Sequence, residues 1–288
     1  MTIGLYWWRP LRSPRSMAGE LIRRGNAWIR MVASRPRVCN FGDEFSGIAI
    51  AELAGKRVRW RSPGSADVFG IGSILGVYGR QHSSAMVFGS GLRAAPAGQP
   101  GVDADRVLAI RGHLTRVELG LPDSTVTGDP GLAVGHLDLG PRRRRSAPLL
   151  IPHFAALNSP AARSMVSGMR ANGYDVALPN QSPLAIAAKI RNASFVATSS
   201  LHGLVFAHAL GTAAALVTFP GLRHSEPRFK YDDYLSVFDE TSQFTPIGDV
   251  ADPARARRLA DRLGERTTLL QDASSRVVDG LRKAASAL

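Results

Sequence analysis

Cysteine is almost absent from the chain: Cys39 is alone among 288 residues. A single thiol excludes an internal disulfide and, with no second thiol, the usual Cys/His spacing of a zinc site. It points to a reducing compartment and to no bound metal. Long apolar runs are missing as well. No stretch of 18 apolar residues occurs, and arginines with Pro10 and Pro14 break the N-terminus where a signal peptide needs an uninterrupted apolar segment. A cytoplasmic protein is the expectation. Lysine is scarce too, with Lys56, Lys189, Lys230 and Lys283 against 36 basic residues in all, so arginine carries nearly the whole net charge of +13. In a chain rich in Ala and Gly, that pattern fits a GC-rich coding sequence as well as a selected basic surface. Aromatic residues are few and not interleaved with the basic runs, and no helix-turn-helix or RNA-binding signature is present. No nucleic acid is expected as a partner.

What is present is alternation. Met17 to Val32 set Leu21, Ile22, Trp28 and Ile29 on one helical face with Arg23 and Arg30 opposite. This basic amphipathic helix either packs on the first domain or rests on an anionic bilayer as a peripheral foot. From Asn40, strands are predicted at Val68 to Ile74, Ala85 to Phe88 and Val107 to Ile110, with helices at Glu44 to Ala54 and His113 to Leu119. Turn residues from Thr127 to Gly131, then the run Arg142 to Arg145, read as an exposed linker. Beyond it the alternation is cleaner: strands Leu149 to Ile151, Asp175 to Leu178, Phe195 to Thr198 and Ala214 to Phe219, with helices Pro160 to Ala171, Pro183 to Asn192 and His202 to Leu210. Such spacing means parallel sheets with right-handed crossovers, hence an α/β protein of two Rossmann-like halves. The expected division is an N-terminal extension over 1–39, a first domain over 40–140, a second over 146–250 and a C-terminal helix over 251–288 that packs across.

Ligands of open parallel sheets bind at the carboxyl ends of strands, near helix N-termini. Four places qualify. At Asn40-Phe41-Gly42-Asp43 a helix begins, and Asp43 either caps it or serves as a base. Gly70-Ile71-Gly72-Ser73 and Gly89-Ser90-Gly91 follow apolar strands and bring backbone N–H groups close to a ligand, although the spacing of Gly70, Gly72 and Gly76 misses the dinucleotide pattern and excludes a nicotinamide cofactor. Arg111 ends a strand and is either a bidentate anion clamp or a solvated side chain. Ser199-Ser200-Leu201-His202-Gly203 carries the sharpest signal: two hydroxyls and an imidazole converge on an anion, or a serine caps a helix beside a packed histidine. His208, deeper in that helix, is expected in the core.

These pieces, in this order, resemble the polysaccharide pyruvyl transferase family. Further counterparts are Ile71-Gly72-Ser73-Ile74-Leu75, Phe88-Gly89-Ser90-Gly91, Ile110-Arg111-Gly112, Leu114-Thr115-Arg116, Gly128-Asp129-Pro130, Ile151-Pro152-His153 and Phe229-Lys230-Tyr231-Asp232-Asp233-Tyr234. The resemblance implies a GT-B-like pair of domains, phosphoenolpyruvate as co-substrate with no further cofactor, and pyruvate delivered to a glycan or lipid-linked oligosaccharide, commonly as a cyclic ketal. It assigns catalysis to His202, Arg111 and Asp43, with His202 as general acid or phosphate ligand and Asp43, or else His153, as the base for the sugar hydroxyl. Donor binding falls to Ser199, Ser200, Gly203, Lys230 and His153, and acceptor or loop binding to Asn40, Gly42, Ser73, Ser90 and Gly91. Departures from the family are Ser200 where some members carry arginine, Gly112 where some carry an acid, and His113 in place of a proline. Rival readings are a GT-B glycosyltransferase using a nucleotide sugar and an inactive membrane-associated scaffold.

Overall fold

The computed structural model describes residues 2–10, 17–22, 38, 40–81, 83–95, 101–143, 147–219 and 226–288. Residues 17–22 are helical; the rest of the basic amphipathic helix, Cys39, Arg144 and Arg145 lie outside the described residues.

Two parallel sheets organise the chain. The first joins β1 (Thr2–Tyr6), β2 (Arg57–Trp60), β3 (Val68–Phe69), β4 (Met86–Ser90), β5 (Val107–Ile110) and β6 (Val126–Thr127) in the order β2-β1-β3-β4-β5-β6. The second joins β7 (Leu149–Ile151), β8 (Asp175–Val176), β9 (Val196–Thr198), β10 (Ala214–Thr218) and β11 (Phe244–Pro246) in the order β11-β10-β9-β7-β8. Counted from its own first strand, each sheet reverses direction of growth beside that strand, between β1 and β3 and between β7 and β9. Those reversals are the switch points at which open α/β sheets leave a crevice.

The first half carries α1 (Phe41–Glu44), α2 (Ser46–Ala54), α3 (Leu75–Arg80) and α4 (His113–Glu118). The second carries α5 (Pro160–Ala171), α6 (Pro183–Asn192), α7 (Leu201–Ala209), α8 (Phe229–Leu235), α9 (Pro253–Arg262) and α10 (Gly264–Ala285). Local chemistry sets several boundaries. Ser159 accepts from Ala162 N at 3.3 Å ahead of Pro160, and Asp252 accepts from Ala254 N at 2.9 Å ahead of Pro253, each a capped start with proline in the first turn. Helix α2 stops at Gly55, whose φ of 62° is the left-handed conformation glycine adopts without strain.

One apolar cluster runs through both halves, from Ile3, Phe45 and Ile50 to Val205, Phe206 and Leu281. Phe206 of α7 meets Phe41 and Phe45 edge-on with ring centroids 5.4 and 4.8 Å apart. Fully burying a phenylalanine is worth roughly 2–3 kcal/mol, so this seam holds the halves together rather than hinging them. Helix α10 packs on both α2 and α7. The result is the α/β arrangement of two Rossmann-like sheets expected, with the C-terminal helix across it.

Three expectations are corrected. Residues 2–6, assigned to an extension, form a strand between β2 and β3: Ile3 and Leu5 are buried because both sheet faces are covered. The supposed exposed linker contains the end of β6 and a 3-10 segment, Pro130–His136, buried from Pro130 to Val134 and packed between α2 and α7. Its Gly and Pro residues permit close approach instead of marking solvent. The strand read as Val68 to Ile74 ends at Phe69, since Gly72 takes a φ of 121°.

Candidate active site

A cleft of about 1120 Å³ opens where the two switch points face each other. Its walls carry Trp8 after β1, Gly72 and Ser73 after β3, His153 after β7, and Ser200 with His202 after β9. Arg111, His202 and Lys230, expected to share a cavity, all line it.

His202 enters the first turn of α7. Ser200 is the N-cap residue, but its side chain makes no cap hydrogen bond and lines the cleft. The strand end is fixed instead by Thr198, whose hydroxyl accepts from Ser200 N at 3.0 Å and donates to Ile151 O at 3.0 Å. Gly203 serves packing: a Cβ there would sit 2.3 Å from Thr198 Oγ1. Gly42 does the same for the imidazole, since its Cβ would fall 2.0 Å from His202 Nδ1. Burial, then Lys230 and Arg111, push His202 down to about 3, so the ring is neutral at rest.

Arg111 is fully buried and already engaged. Nε donates to Asp233 at 2.8 Å, one terminal nitrogen to Ser73 Oγ at 2.8 Å and the other to Leu92 O at 2.5 Å. Asp233 also accepts from Thr115 N at 2.6 Å and Thr115 Oγ1 at 2.7 Å. Arg111 is therefore neither the free clamp nor the solvated side chain that were the two expectations but a strut that ties the end of β5 to α8 at the cleft wall. Two glycines make it possible. A Cβ at Gly91 would be 2.3 Å from the guanidinium carbon, and one at Gly112 would be 1.7 Å from Asp233 O. The missing acid at Gly112 thus follows from packing: no side chain fits there.

Lys230 meets a carboxylate the sequence reading did not single out. Glu226 stands 3.2 Å from Lys230 Nζ, accepts from Arg93 at 3.0 and 3.1 Å, and lies 3.8 Å from His153 Nε2. Burial raises the Glu226 carboxyl, but Lys230, His153 and Arg93 outweigh it and bring it down to about 2. Burial lowers Lys230 to about 8 against the pull of Glu226. The Glu226/Lys230 spacing of four was the available signal.

On the facing wall, Asn40 caps α1 and also donates to Asp43 Oδ2 at 2.6 Å. Asp43 is therefore not the cap; its carboxyl lines the cleft. Ser90 and Gly91 do not. Ser90 donates its hydroxyl to Gly70 O, and Gly91 yields space to Arg111. Ser199 is likewise turned inward, accepting from His153 N at 2.8 Å. His208 is a core residue bonded to Tyr234 at 2.9 Å, as expected. Asp129, read earlier as part of a turn, is wholly buried with Oδ2 3.8 Å from His202 Nε2. A buried acid ahead of a 3-10 segment leaves no periodic signature.

The fold and site define an α/β protein with two Rossmann-like sheets and a cation-lined cleft between their switch points. Residues 106–218 match the family model for polysaccharide pyruvyl transferases, bearing out the resemblance over the motifs from Ile110 to Gly203. An uncharacterized protein of Acanthamoeba polyphaga mimivirus is 28% identical over 120 residues, which span 40% of this chain and 40% of that protein. Among solved structures, the glycotransferase of kitacinnamycin shares 15% identity at a TM-score of 0.39, covering 64% of this chain and 56% of that one. The glycosyltransferase SnogD from Streptomyces nogalater shares 12% at a TM-score of 0.36, covering 84% and 94%. The chain thus spans well under two thirds of the curated relative and of the first of these structures.

Proposed function

We propose that this protein transfers the pyruvyl group of phosphoenolpyruvate to sugar hydroxyls of a polysaccharide or its lipid-linked precursor, closing a cyclic ketal. One observation carries the reading: a neutral imidazole, an ammonium and a guanidinium, from His202, Lys230 and Arg93, line one cleft together with Asp43. The donor brings close to three negative charges. Phosphate and carboxylate oxygens suit Lys230, Arg93 and the Ser200 hydroxyl, and they replace the Glu226 carboxylate as partners of those cations. Their charge also opposes the effect of Lys230 and Arg111 on His202 and raises its proton affinity, turning it into an acid when the donor binds.

His202 then protonates the methylene carbon, leaving a cationic C2. A sugar hydroxyl attacks C2 and passes its proton to Asp43. The C2–O bond to phosphate breaks with the electron pair leaving on oxygen, and the second hydroxyl closes the ketal. Two hydroxyl protons are lost; one ends on the new methyl group and the other on the released phosphate, so charge and atoms balance. Exposed Met17, Leu21 and Ile22, close in sequence to the cleft residue Glu20, support a lipid-carried acceptor and a peripheral seat on the cytoplasmic membrane face.

Phosphoenolpyruvate raises the melting temperature on this reading, and phosphate appears when glycan acceptor is added, faster from a lipid-linked than from a free acceptor. His202→Asn lowers kcat about 10²- to 10⁴-fold with folding intact. Stabilisation by a nucleoside diphosphate and none by phosphoenolpyruvate would transfer the assignment to a sugar-nucleotide glycosyltransferase.

A further inference from the structure

Beneath the cleft floor two polar atoms face each other, and neither has a hydrogen-bond partner among the described residues: Asp129 Oδ2 and His202 Nε2, 3.8 Å apart. Both are enclosed, Asp129 completely. The other carboxyl oxygen, Oδ1, is occupied, accepting from Gly131 N at 2.7 Å at the start of the 3-10 segment. The placement is built from afar. Gly128 has a φ of 158°, and a Cβ there would lie 2.4 Å from Val277 and 3.2 Å from Leu281, so α10 presses directly on the turn that carries Asp129.

We propose that Asp129 is a positioning residue for His202, fixing the imidazole tautomer and supporting the imidazolium that the reaction needs. A buried carboxylate oxygen facing an imidazole nitrogen is satisfied when that nitrogen bears the proton. A neutral ring has one N–H. With it held on Nε2, the lone pair is left on Nδ1, beside Gly42, in a ring whose residue lines the cleft. A proton taken up at Nδ1 makes an imidazolium whose far side already meets an acid, and the Nε2–Oδ2 gap shortens to a hydrogen bond as charge develops.

The other groups facing the pair are Lys230, Asp233 and Tyr234 from α8, Arg111 from the end of β5, and Asp43 from α1. Lys230 and Arg111 oppose protonation of the ring. Burial lifts the Asp129 carboxyl to about 6, while Gly131 and Arg111 work to lower it. Asp129 is the carboxylate that stands against Nε2.

The tautomer does not depend on the pyruvyl-transfer reading; the effect on turnover rests on it. Histidine-selective nitrogen NMR of the full chain, with His202→Asn to assign the signal, is expected to show the Nε2–H tautomer near neutral pH. In Asp129→Asn the amide oxygen must still serve Gly131 N, which turns the NH₂ toward Nε2 and forces the proton to Nδ1. The expected result is an inverted tautomer, with kcat for phosphate release down about 10²- to 10⁴-fold and KM for phosphoenolpyruvate little changed. A wild-type Nδ1–H tautomer overturns the proposal even if the variant fails to fold, as does a variant with unaltered tautomer or unaltered kcat. An inverted tautomer in a protein that never turns over phosphoenolpyruvate upholds the pairing and counts against the proposed function.

Discussion

Asp233 and Glu226 each gather a cation from the opposite half of the chain, yet their surroundings differ. The Arg111–Asp233 pair is fully buried at 2.8 Å, and Thr115, Ser73 and Leu92 O complete its hydrogen bonds. Glu226 lies on the cleft wall with Lys230, His153 and an Arg93 whose side chain is 59% exposed. An ion pair shut away from water, with its remaining donors and acceptors matched, becomes architecture. One whose members border a cavity stays exchangeable, because an incoming anion offers the cations equivalent oxygens. The same residue types thus build a wall in one place and a docking point seven residues away.

The hardest way to break this comparison is to remove a member of the buried pair. Asp233→Asn leaves Arg111 as an unpaired buried charge, and denaturant unfolding is expected to show a loss of about 3–5 kcal/mol. A loss no larger than that of a surface substitution would mean that Arg111 is solvated after all. Second in size is a pH effect on the same side of the molecule. Burial holds His208, bonded to Tyr234, down to about 4 against an ordinary 6.5. A group with a depressed folded value binds its proton more readily when unfolded. Its contribution is complete above 6.5 and disappears as pH falls toward 4, costing on the order of 3 kcal/mol. Denaturation of wild type and His208→Gln near neutral pH and near pH 4 tests this: the pH dependence shrinks in the variant by about that amount. The smallest stability change is expected at Glu226. Glu226→Gln costs about 1–2 kcal/mol, moves Lys230 further below 8, and tightens inorganic phosphate binding several-fold in calorimetry below neutral pH, where Lys230 keeps its charge. Weaker phosphate binding would show that Glu226 positions the cations instead of competing for them.

Legibility followed how locally each feature is encoded. Helices Pro160–Ala171 and Pro183–Asn192 were readable to the residue because proline starts and an apolar face are local signals. The strand Arg57–Trp60 was missed because it is an edge strand with arginine outward. Thr2–Tyr6 was passed over because five residues beside a basic segment resemble an extension until their sheet neighbours are known. In the site, the Ser199 to Gly203 turn was visible as hydroxyls and an imidazole at a strand end. The motif around Asp129 and the four-residue spacing of Glu226 from Lys230 were visible too, but their roles were not, since those depend on His202 and Arg93, distant in sequence.

The sequence by itself determined the parallel α/β winding and the position of His202 at a helix start, because hydrophobic periodicity, proline and glycine act over a few residues. Tertiary structure alone decided which cation is locked into a wall and which keeps an exchangeable partner. Arg111 and Lys230 look alike in the chain, and they part company through the carboxylates that folding brings beside them and through the water each can reach.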